Sequence, residues 1–261
     1  MGGSTSNAFF ISLITLLSIA RAFTLPAVEK RQATAPPVLM GAAASYGAVA
    51  HTTLTSTGGT LVTGDCGTYP GTAITGFPPG ICTGTTSAGG VAAQNAEAAC
   101  LTAYNNAKGL VPTGALPSVE LGGMTLRPGV YTFPASAAQL STTLTLDGAS
   151  NNLGQFVFQI ATTFQTAIGS KVLLINGAQA GNVYFQVGAS VTIGGATMLQ
   201  GNVLASASIA VGAGAANNGT LCALNGAVTL INDALTAQTR TTTKHCIITI
   251  VLGKPICLSI L

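Results

Sequence analysis

The sequence predicts a mainly β protein, wound as a parallel β-helix of triangular section, with one long α-helix. Three observations support this prediction. The first is a five-residue pattern, Gly followed by a short apolar strand, that occurs three times, at 181–185, 201–205 and 219–223. The second is a companion unit between these copies, whose first branched residues, at steps of 18 and 19, are Val191, Ile209 and Val228. The third is Val172, which stands 19 residues before Val191 and adds a fourth mark of one repeat.

Each period has the content of one turn of a solenoid. It carries two short runs that alternate between inward and outward residues, are rich in β-branched side chains and are bounded by Gly or Asn. Such strands rise roughly 3.3 Å per residue, so one period suffices for a small triangular turn. A single turn cannot bury its Val, Ile, Leu and Phe side chains, but stacked turns can. A β-sandwich is the alternative fold, although it gives no reason for the same pentapeptide to recur.

Ahead of the repeat, the chain is predicted to form strands, then one helix, then further strands. Strand patterns occupy 46–50 and 60–63. An Ala-rich, Pro-free stretch over 90–108 predicts a helix, with Ser87 as its N-cap and Gly109 at its C-terminal end. Its narrow stripe of small residues, which could lie close along a sheet, comprises Val91, Ala92, Ala96, Ala99, Ala103 and Ala107. Strands are then expected at 144–146, 156–158 and 172–175.

The composition excludes several classes of partner. Only 6% of the 261 residues are charged, against roughly 25% in ordinary domains. So few Lys and Arg side chains cannot neutralise the phosphates of a nucleic acid, and acidic substrates find no basic site. We therefore expect a neutral surface of small hydroxyl and methyl groups, with no nucleic-acid partner and no cofactor.

The N-terminus predicts an extracellular protein. Residues 8–20 form an apolar run that ends in a small-x-small triplet, as in a signal peptide, here over 1–22. The run is too short for a membrane span. Lys30-Arg31 is a dibasic site of the kind that fungal secretory proteases cut. We therefore expect a propeptide at 23–31 and a mature chain that begins at Gln32.

The C-terminal end differs from the rest of the chain. The repeat stops near Leu235, so a single domain is expected over 32–238. The segment 239–261 is set apart as an atypical tail. It is apolar over 247–252 but is then interrupted by Lys254, so it is too short and too broken for a membrane-spanning helix.

The cysteines point to disulfide bonds rather than to a metal site. The sequence has six, at positions 66, 82, 100, 222, 246 and 257. An even number in a secreted chain favours disulfides, and no spacing here matches a zinc site. The candidates are Cys66, Cys82, Cys100 and Cys222, and their pairing stays open because six cysteines allow 15 connectivities.

No catalytic site is evident in the sequence. Parallel β-helices often carry enzymes that cleave polysaccharides, and that chemistry needs paired carboxylates on one face. The acids of the expected mature domain stand at unrelated phases of the repeat: Asp65, Glu97, Glu120, Asp147 and Asp233. We therefore expect neither an enzyme nor a metal centre. A rigid, uncharged solenoid with flat faces could instead match an ordered lattice, such as ice or a crystalline polymer.

Several segments resemble the microbial ice-binding protein family of fungi, bacteria and algae. The motifs that carry the resemblance are 72–80, the Ala-rich helix, Leu-Gly-Gly-Met-Thr-Leu-Arg-Pro-Gly-Val-Tyr at 121–131, Phe-Val-Phe-Gln-Ile at 156–160, 172–178, and Asn-Val-Tyr-Phe-Gln-Val-Gly at 182–188. The resemblance covers about 38–235. It implies a discontinuous right-handed parallel β-helix with the long helix packed alongside, and non-catalytic adsorption to ice that inhibits ice growth and recrystallisation.

The resemblance also implies where the ice-binding face should lie. In that family the face uses Thr-Ala/Gly-x-Thr/Asn steps at the turn after the Val-Thr-Ile-type strand. This sequence keeps such steps only in part. The residues predicted to line the outward face are Thr166, Ala167, Ala196, Thr197, Ala213 and Ala215.

Two further expectations complete the interpretation. Asn218-Gly219-Thr220 is an N-glycosylation sequon, which makes Asn218 a candidate site of modification. The preferred function is that of a secreted, monomeric ice-binding protein whose partner is the ice crystal surface. The alternative is a non-catalytic cell-surface or adhesion module of the same fold that binds cell-wall polysaccharide.

Overall fold

The computed structural model describes residues 37–238, 246–251 and 254–259. Over 37–238 the chain forms three parallel sheets, one α-helix, and two 3₁₀ helices at Gly41–Ser45 and Ala180–Asn182. Beyond them, the strands Cys246–Val251 and Lys254–Ser259 pair antiparallel. The signal peptide and propeptide expected over 1–31 lie outside the described residues, and their boundaries remain predictions.

We name the sheets A, B and C and give their strands in the order in which they pair. Sheet A consists of Thr86–Ala88, Asp65–Thr68, Tyr46–Ala50, Leu221–Ala223, Asn202–Ala205, Val183–Val187, Phe156–Ile160, Gly129–Thr132 and Gly114–Ala115. Sheet B consists of Ala138–Leu140, Phe164–Thr166, Val191–Ile193, Ile209–Val211, Val228–Ile231, Thr53–Thr57 and Ala73–Thr75. Sheet C consists of Ile81–Cys82, Leu61–Thr63, Ala234–Thr236, Ala216–Asn218, Met198–Gln200, Lys171–Ile175, Thr143–Asp147 and Thr125–Leu126.

The strand order is discontinuous along the chain. The first strands stack on the last ones in all three sheets, with Ala48 opposite Leu221 in sheet A and Leu54 opposite Val228 in sheet B. The chain then returns to the other end of the solenoid, where sheet A begins with Gly114–Ala115 beside Gly129–Thr132. The predicted fold class, a discontinuous parallel β-helix with one long α-helix, is therefore confirmed.

The repeat that predicted the fold is correct for three of its four marks. These three residues stack directly on one another in sheet B: Val191, Ile209 and Val228. The fourth mark was wrong, because Val172 lies in sheet C and stacks on Leu144. The partner of Val191 in the previous turn is Phe164, 27 residues earlier (191 − 164). That turn is longer because it contains the 3₁₀ helix Ala180–Asn182.

Stacked aromatic rings fill the interior at the end of the solenoid where sheet A carries its Phe-rich strands. Phe158 and Phe185 face each other from adjacent strands with ring centroids 5.0 Å apart, and Phe164 of sheet B lies 5.0 Å from Phe185. All three side chains are fully buried. Burial of one such ring stabilises the fold by about 3 kcal/mol relative to an exposed ring, so this column stabilises the turns toward that end.

The α-helix Val91–Gly109 covers the outer face of sheet A. Its buried residues are small or pack flat against the sheet: Ala93, Ala96, Cys100, Ala103, Tyr104 and Ala107. The predicted stripe was wrong at its start, since Val91 and Ala92 are exposed. The predicted N-cap was wrong as well, because Ser87 pairs in sheet A with Gly67, and the N-cap is Gly90. Among the residues that the structure describes, no helix has the length and apolar character of a membrane span.

The four predicted cysteines form two disulfide bonds. Cys66–Cys82 joins sheet A to sheet C near the end of the solenoid that is formed by the N-terminal strands. Cys100–Cys222 joins the helix to a strand of sheet A. The second bond ties together segments 122 residues apart. It therefore fixes the helix on the face that it covers, so that only sheets B and C keep an outward face free of the helix.

Candidate functional site: the outward faces of the solenoid

Three of the six residues predicted to line an outward face lie inside the protein. Thr166 is 7% exposed, Thr197 0% and Ala215 1%. The Thr197 hydroxyl lies 3.0 Å from the Thr166 hydroxyl and donates to the backbone carbonyl of Ala167 at 3.0 Å. The prediction was wrong for Thr166 because it is the third residue of the strand Phe164–Thr166 and alternation turns it toward the core. It was wrong for Thr197 and Ala215 because each is the last residue of a turn that bends back before sheet C begins, and each points inward.

The other three predicted residues are exposed at the corner between sheets B and C. Ala167, Ala196 and Ala213 follow three successive strands of sheet B. The corner is regular from turn to turn, because the amide of Ala196 donates to the carbonyl of Ala213 at 3.0 Å. Ala196 has a φ of +52°. These alanines form a small apolar rim beside sheet B.

A row of side chains that the sequence interpretation did not select runs along the middle of sheet B. Most are the middle residue of an alternating strand such as Val-Thr-Ile, the last one ends the strand Ala73–Thr75, and each pairs in register with the next. In order along the solenoid they are Gln139, Gln165, Thr192, Ala210, Thr229, Thr55 and Thr75. Adjacent members are spaced by the distance between strands, about 4.8 Å. We call these seven residues the sheet B row.

The sheet B row is uncharged and made of short side chains along most of its length. Five of the seven residues are Thr or Ala, and the two Gln residues stand together at one end. The neighbouring outward positions Thr57 and Ile231 pair across the same sheet and are also uncharged. The sequence signal for the row was present in the alternation itself, since the middle residue of each strand had to face outward once its neighbours faced the core.

Sheet C presents a different outward face. Its exposed residues include the charged Lys171 and the large apolar side chains Met198, Leu61 and Ile81. Asp147 ends one of its strands and accepts hydrogen bonds from Asn176 and from the amide of Ala149. These hydrogen bonds lower the pKa of Asp147, so that this face carries a fixed negative charge as well.

The acidic residues of the described domain serve the backbone. Glu120 accepts hydrogen bonds from the amides of Gly122 and Ser141, and these bonds hold its pKa below the ordinary value although burial opposes them. Asp65 accepts from the amide of Thr85 at 2.6 Å. Glu120 thus closes the local turn to Gly122, and both carboxylates link the chain to a segment about 20 residues further on.

The other two acids lie at contacts inside the fold. Glu97 of the helix lies 3.6 Å from Nδ1 of His51, the residue that follows the sheet A strand Tyr46–Ala50. The buried Asp233 accepts from the amides of Ala215 and Ile231 at the corner between sheets B and C. Among the described residues, no group of three or more His, Cys, Asp or Glu side chains could hold a metal ion.

These features define a class of protein, a discontinuous β-helix with one face covered by a helix and another that is flat and uncharged. The family model for ice-binding-like proteins matches residues 48–236. The chain therefore belongs to the ice-binding-like family, as its motifs predicted.

Individual relatives are similar over most of the chain. An ice-binding protein of Nostoc sp. (strain HG1) is 42% identical over 193 residues, which is 74% of this chain and 71% of the relative. The crystal structure of an ice-binding protein from the Antarctic ascomycete Antarctomyces psychrotrophicus superposes with a TM-score of 0.74 at 41% identity and covers 78% of this chain and 100% of its own. The structure of the ice-binding protein LeIBP from an Arctic yeast gives a TM-score of 0.71 at 30% identity, with coverages of 78% and 95%.

Proposed function

We propose that this protein is secreted as a monomer and adsorbs to ice through the sheet B row, which inhibits ice growth and recrystallisation. The observation that carries the proposal is the register of that row, in which uncharged side chains repeat at one fixed spacing over seven strands and are Thr or Ala in five of them. Such an array can face an ordered lattice at several points at once. The binding is non-catalytic.

The chemistry of the row supports this choice of face. Thr192 and Thr229 each offer one methyl and one hydroxyl group on a stiff β-branched side chain, which loses little rotamer freedom when it meets a surface. Charged side chains hold their own hydration shell, and their absence from the row leaves the water beside it free to order. The exposed alanines 167, 196 and 213 extend the same surface as its rim.

Ice recrystallisation in a thin frozen film tests the proposal. Thr229→Lys places a long, hydrated cation in the middle of the row, and we expect it to abolish the inhibition of crystal growth. The matched control is Thr63→Lys, an exposed threonine of sheet C, which should leave the inhibition unchanged. Circular dichroism confirms that both variants are folded. Equal inhibition by both variants would remove the sheet B row from the site.

The alternative function, an adhesion module that binds cell-wall polysaccharide, is tested separately. The row is free of charge and consists of Thr and Ala along most of its length, which suits a flat lattice better than a single sugar chain. A pull-down on insoluble chitin or glucan separates the two functions. Two results together would favour the adhesion module. The wild type would be retained on the polysaccharide while Thr229→Lys would not, and ice would grow in the presence of the wild type as it does in buffer.

A further inference from the structure

We propose that Asn218 carries an N-linked oligosaccharide that covers an apolar strip on the outward face of sheet C. This inference rests on the proposed secretion but not on ice binding. Asn218-Gly219-Thr220 is the one sequon in the 261-residue sequence. The structure places this asparagine on the strand Ala216–Asn218 of sheet C, on the face that the proposed function does not use.

The side chain of Asn218 is available for modification. It is exposed, and its amide oxygen accepts a hydrogen bond from Gln238 at 2.9 Å. Its amide nitrogen, the atom that glycosylation substitutes, has no hydrogen-bond partner among the described residues. The neighbouring Asn217, by contrast, is buried. A glycan on Asn218 would therefore leave the fold unchanged.

The reaction requires a donor that the secretory pathway supplies, an oligosaccharide linked to a polyprenyl diphosphate. The bond between C1 of the sugar and the diphosphate oxygen breaks, a bond forms between C1 and Nδ2 of Asn218, and one amide proton is released. Thr220 is fully buried in the folded protein, where its hydroxyl donates to the carbonyl of Ala43. The transfer thus takes place on the extended chain, before Thr220 is enclosed.

The apolar strip lies directly beside this asparagine. Five residues pair in register across sheet C to form it: Met198, Ala216, Ala234, Leu61 and Ile81. Met198 is 56% exposed and Ile81 59%. Four steps between strands give the strip a length of about 19 Å. A contiguous exposed apolar surface of this kind promotes association between copies of a protein.

The position of Asn218 matches the middle of the strip. Ala216 is a central member of the strip and stands two residues before Asn218 on the same strand, about 7 Å away. The direct neighbours of Asn218 across the sheet are the polar Gln200 and Thr236. An oligosaccharide rooted in this polar row can lie over the adjacent strip. It keeps copies of the protein apart and leaves the sheet B row free.

The mass of the secreted protein tests the modification. The full chain is expressed in a yeast secretory host and treated with N-glycosidase F. We expect the mass of the wild type to fall and the mass of Asn218→Gln to stay the same. The control is Asn225→Gln, an exposed asparagine that is followed by Gly and Ala, and its mass should fall like that of the wild type. A secreted wild type whose mass does not change would overturn the proposal.

Two further readings test the consequence of the glycan. The deglycosylated wild type should self-associate in sedimentation velocity, and Met198→Ser in the Asn218→Gln background should reverse the association. Equal sedimentation of the glycosylated and deglycosylated wild type would overturn the shielding role.

Inhibition of recrystallisation should be equal with and without the glycan. The double substitution Thr229→Asn, Ile231→Thr moves a sequon onto sheet B, where its glycan should abolish the inhibition. Loss of ice activity in every form would refute the proposed function and leave the modification standing.

Discussion

The buried carboxyl group of Asp233 makes the stability of the solenoid depend on pH in an unusual direction. Asp233 is 2% exposed, and burial raises its pKa from 3.8 to about 6, although the hydrogen bonds from the amides of Ile231 and Ala215 oppose that change. The pKa of the folded state is thus above that of the unfolded state. The contribution of this group to stability is complete below about pH 4 and is lost as the pH rises through 6.

The magnitude follows from the size of the shift. About two pKa units at 1.36 kcal/mol each correspond to roughly 3 kcal/mol between pH 4 and pH 7. Glu120 has the opposite sign, since its pKa is lowered and its contribution is lost as the pH falls. The effect of Asp233 must therefore be isolated as a difference between the wild type and Asp233→Asn, which keeps the shape but does not titrate.

Urea unfolding of both proteins at several pH values between about 4 and 7 measures this difference. We expect the free energy of unfolding of the wild type, relative to Asp233→Asn, to fall by roughly 3 kcal/mol across the range. The fall should be steepest near pH 5, midway between the pKa values of the unfolded and folded states, and it should level off above pH 6. A difference that stays constant, or that rises with pH, would show that the carboxyl group is charged in the folded protein at all these values, and would refute the reasoning.

Three other substitutions probe how the solenoid is held together, each by thermal or urea unfolding. The double variant Cys100→Ala, Cys222→Ala should lose roughly 4 to 5 kcal/mol, because the bond closes a loop of 122 residues; a loss under about 1 kcal/mol would contradict this. Phe158→Ala should lose roughly 3 to 5 kcal/mol, because the buried ring stacks on Phe185. Ala196→Gly should gain up to about 1 kcal/mol, because its φ of +52° favours glycine, and a loss would show that its methyl group contributes packing.

The repeat could be predicted because the same physical requirement recurs in each turn. The side chains that stack on one another in sheet B must all point into the core from the same position of their strands, and in-register pairing makes the residues around them similar. These side chains are Val191, Ile209 and Val228. The spacing of these core residues in the sequence changes wherever the connection between two strands contains extra residues. The connection with the 3₁₀ helix Ala180–Asn182 lengthens one turn, so a fixed step from Val191 led to Val172 in the wrong sheet.

The candidate site was predicted less well because it depends on the direction in which a turn bends. Ala196 and Thr197 are adjacent in the sequence, yet the first is exposed and the second is 0% exposed and hydrogen-bonded to Thr166. Alternation along a strand determines which side chains face outward, so Thr192 could have been selected from the Val-Thr-Ile pattern alone. In a turn, the backbone dihedrals, such as the φ of +52° at Ala196, and the hydrogen bonds between successive corners set the orientation. Neither follows from a simple period in the sequence.

The discontinuity of the fold has a direct consequence for the sheet B row. Thr55 and Thr75 come from the segment before the helix, whereas Thr192 and Thr229 come from the repeat after it, and the two segments meet where Thr55 pairs with Thr229. The row therefore reaches its full length only when the first strands have stacked on the last. A surface that contacts several threonines at once holds the protein more tightly when the first strands are stacked on the last than when they are separated. The proposed function therefore couples ice binding to closure of the junction, and it predicts that the contacts that secure the N-terminal strands also support the proposed face.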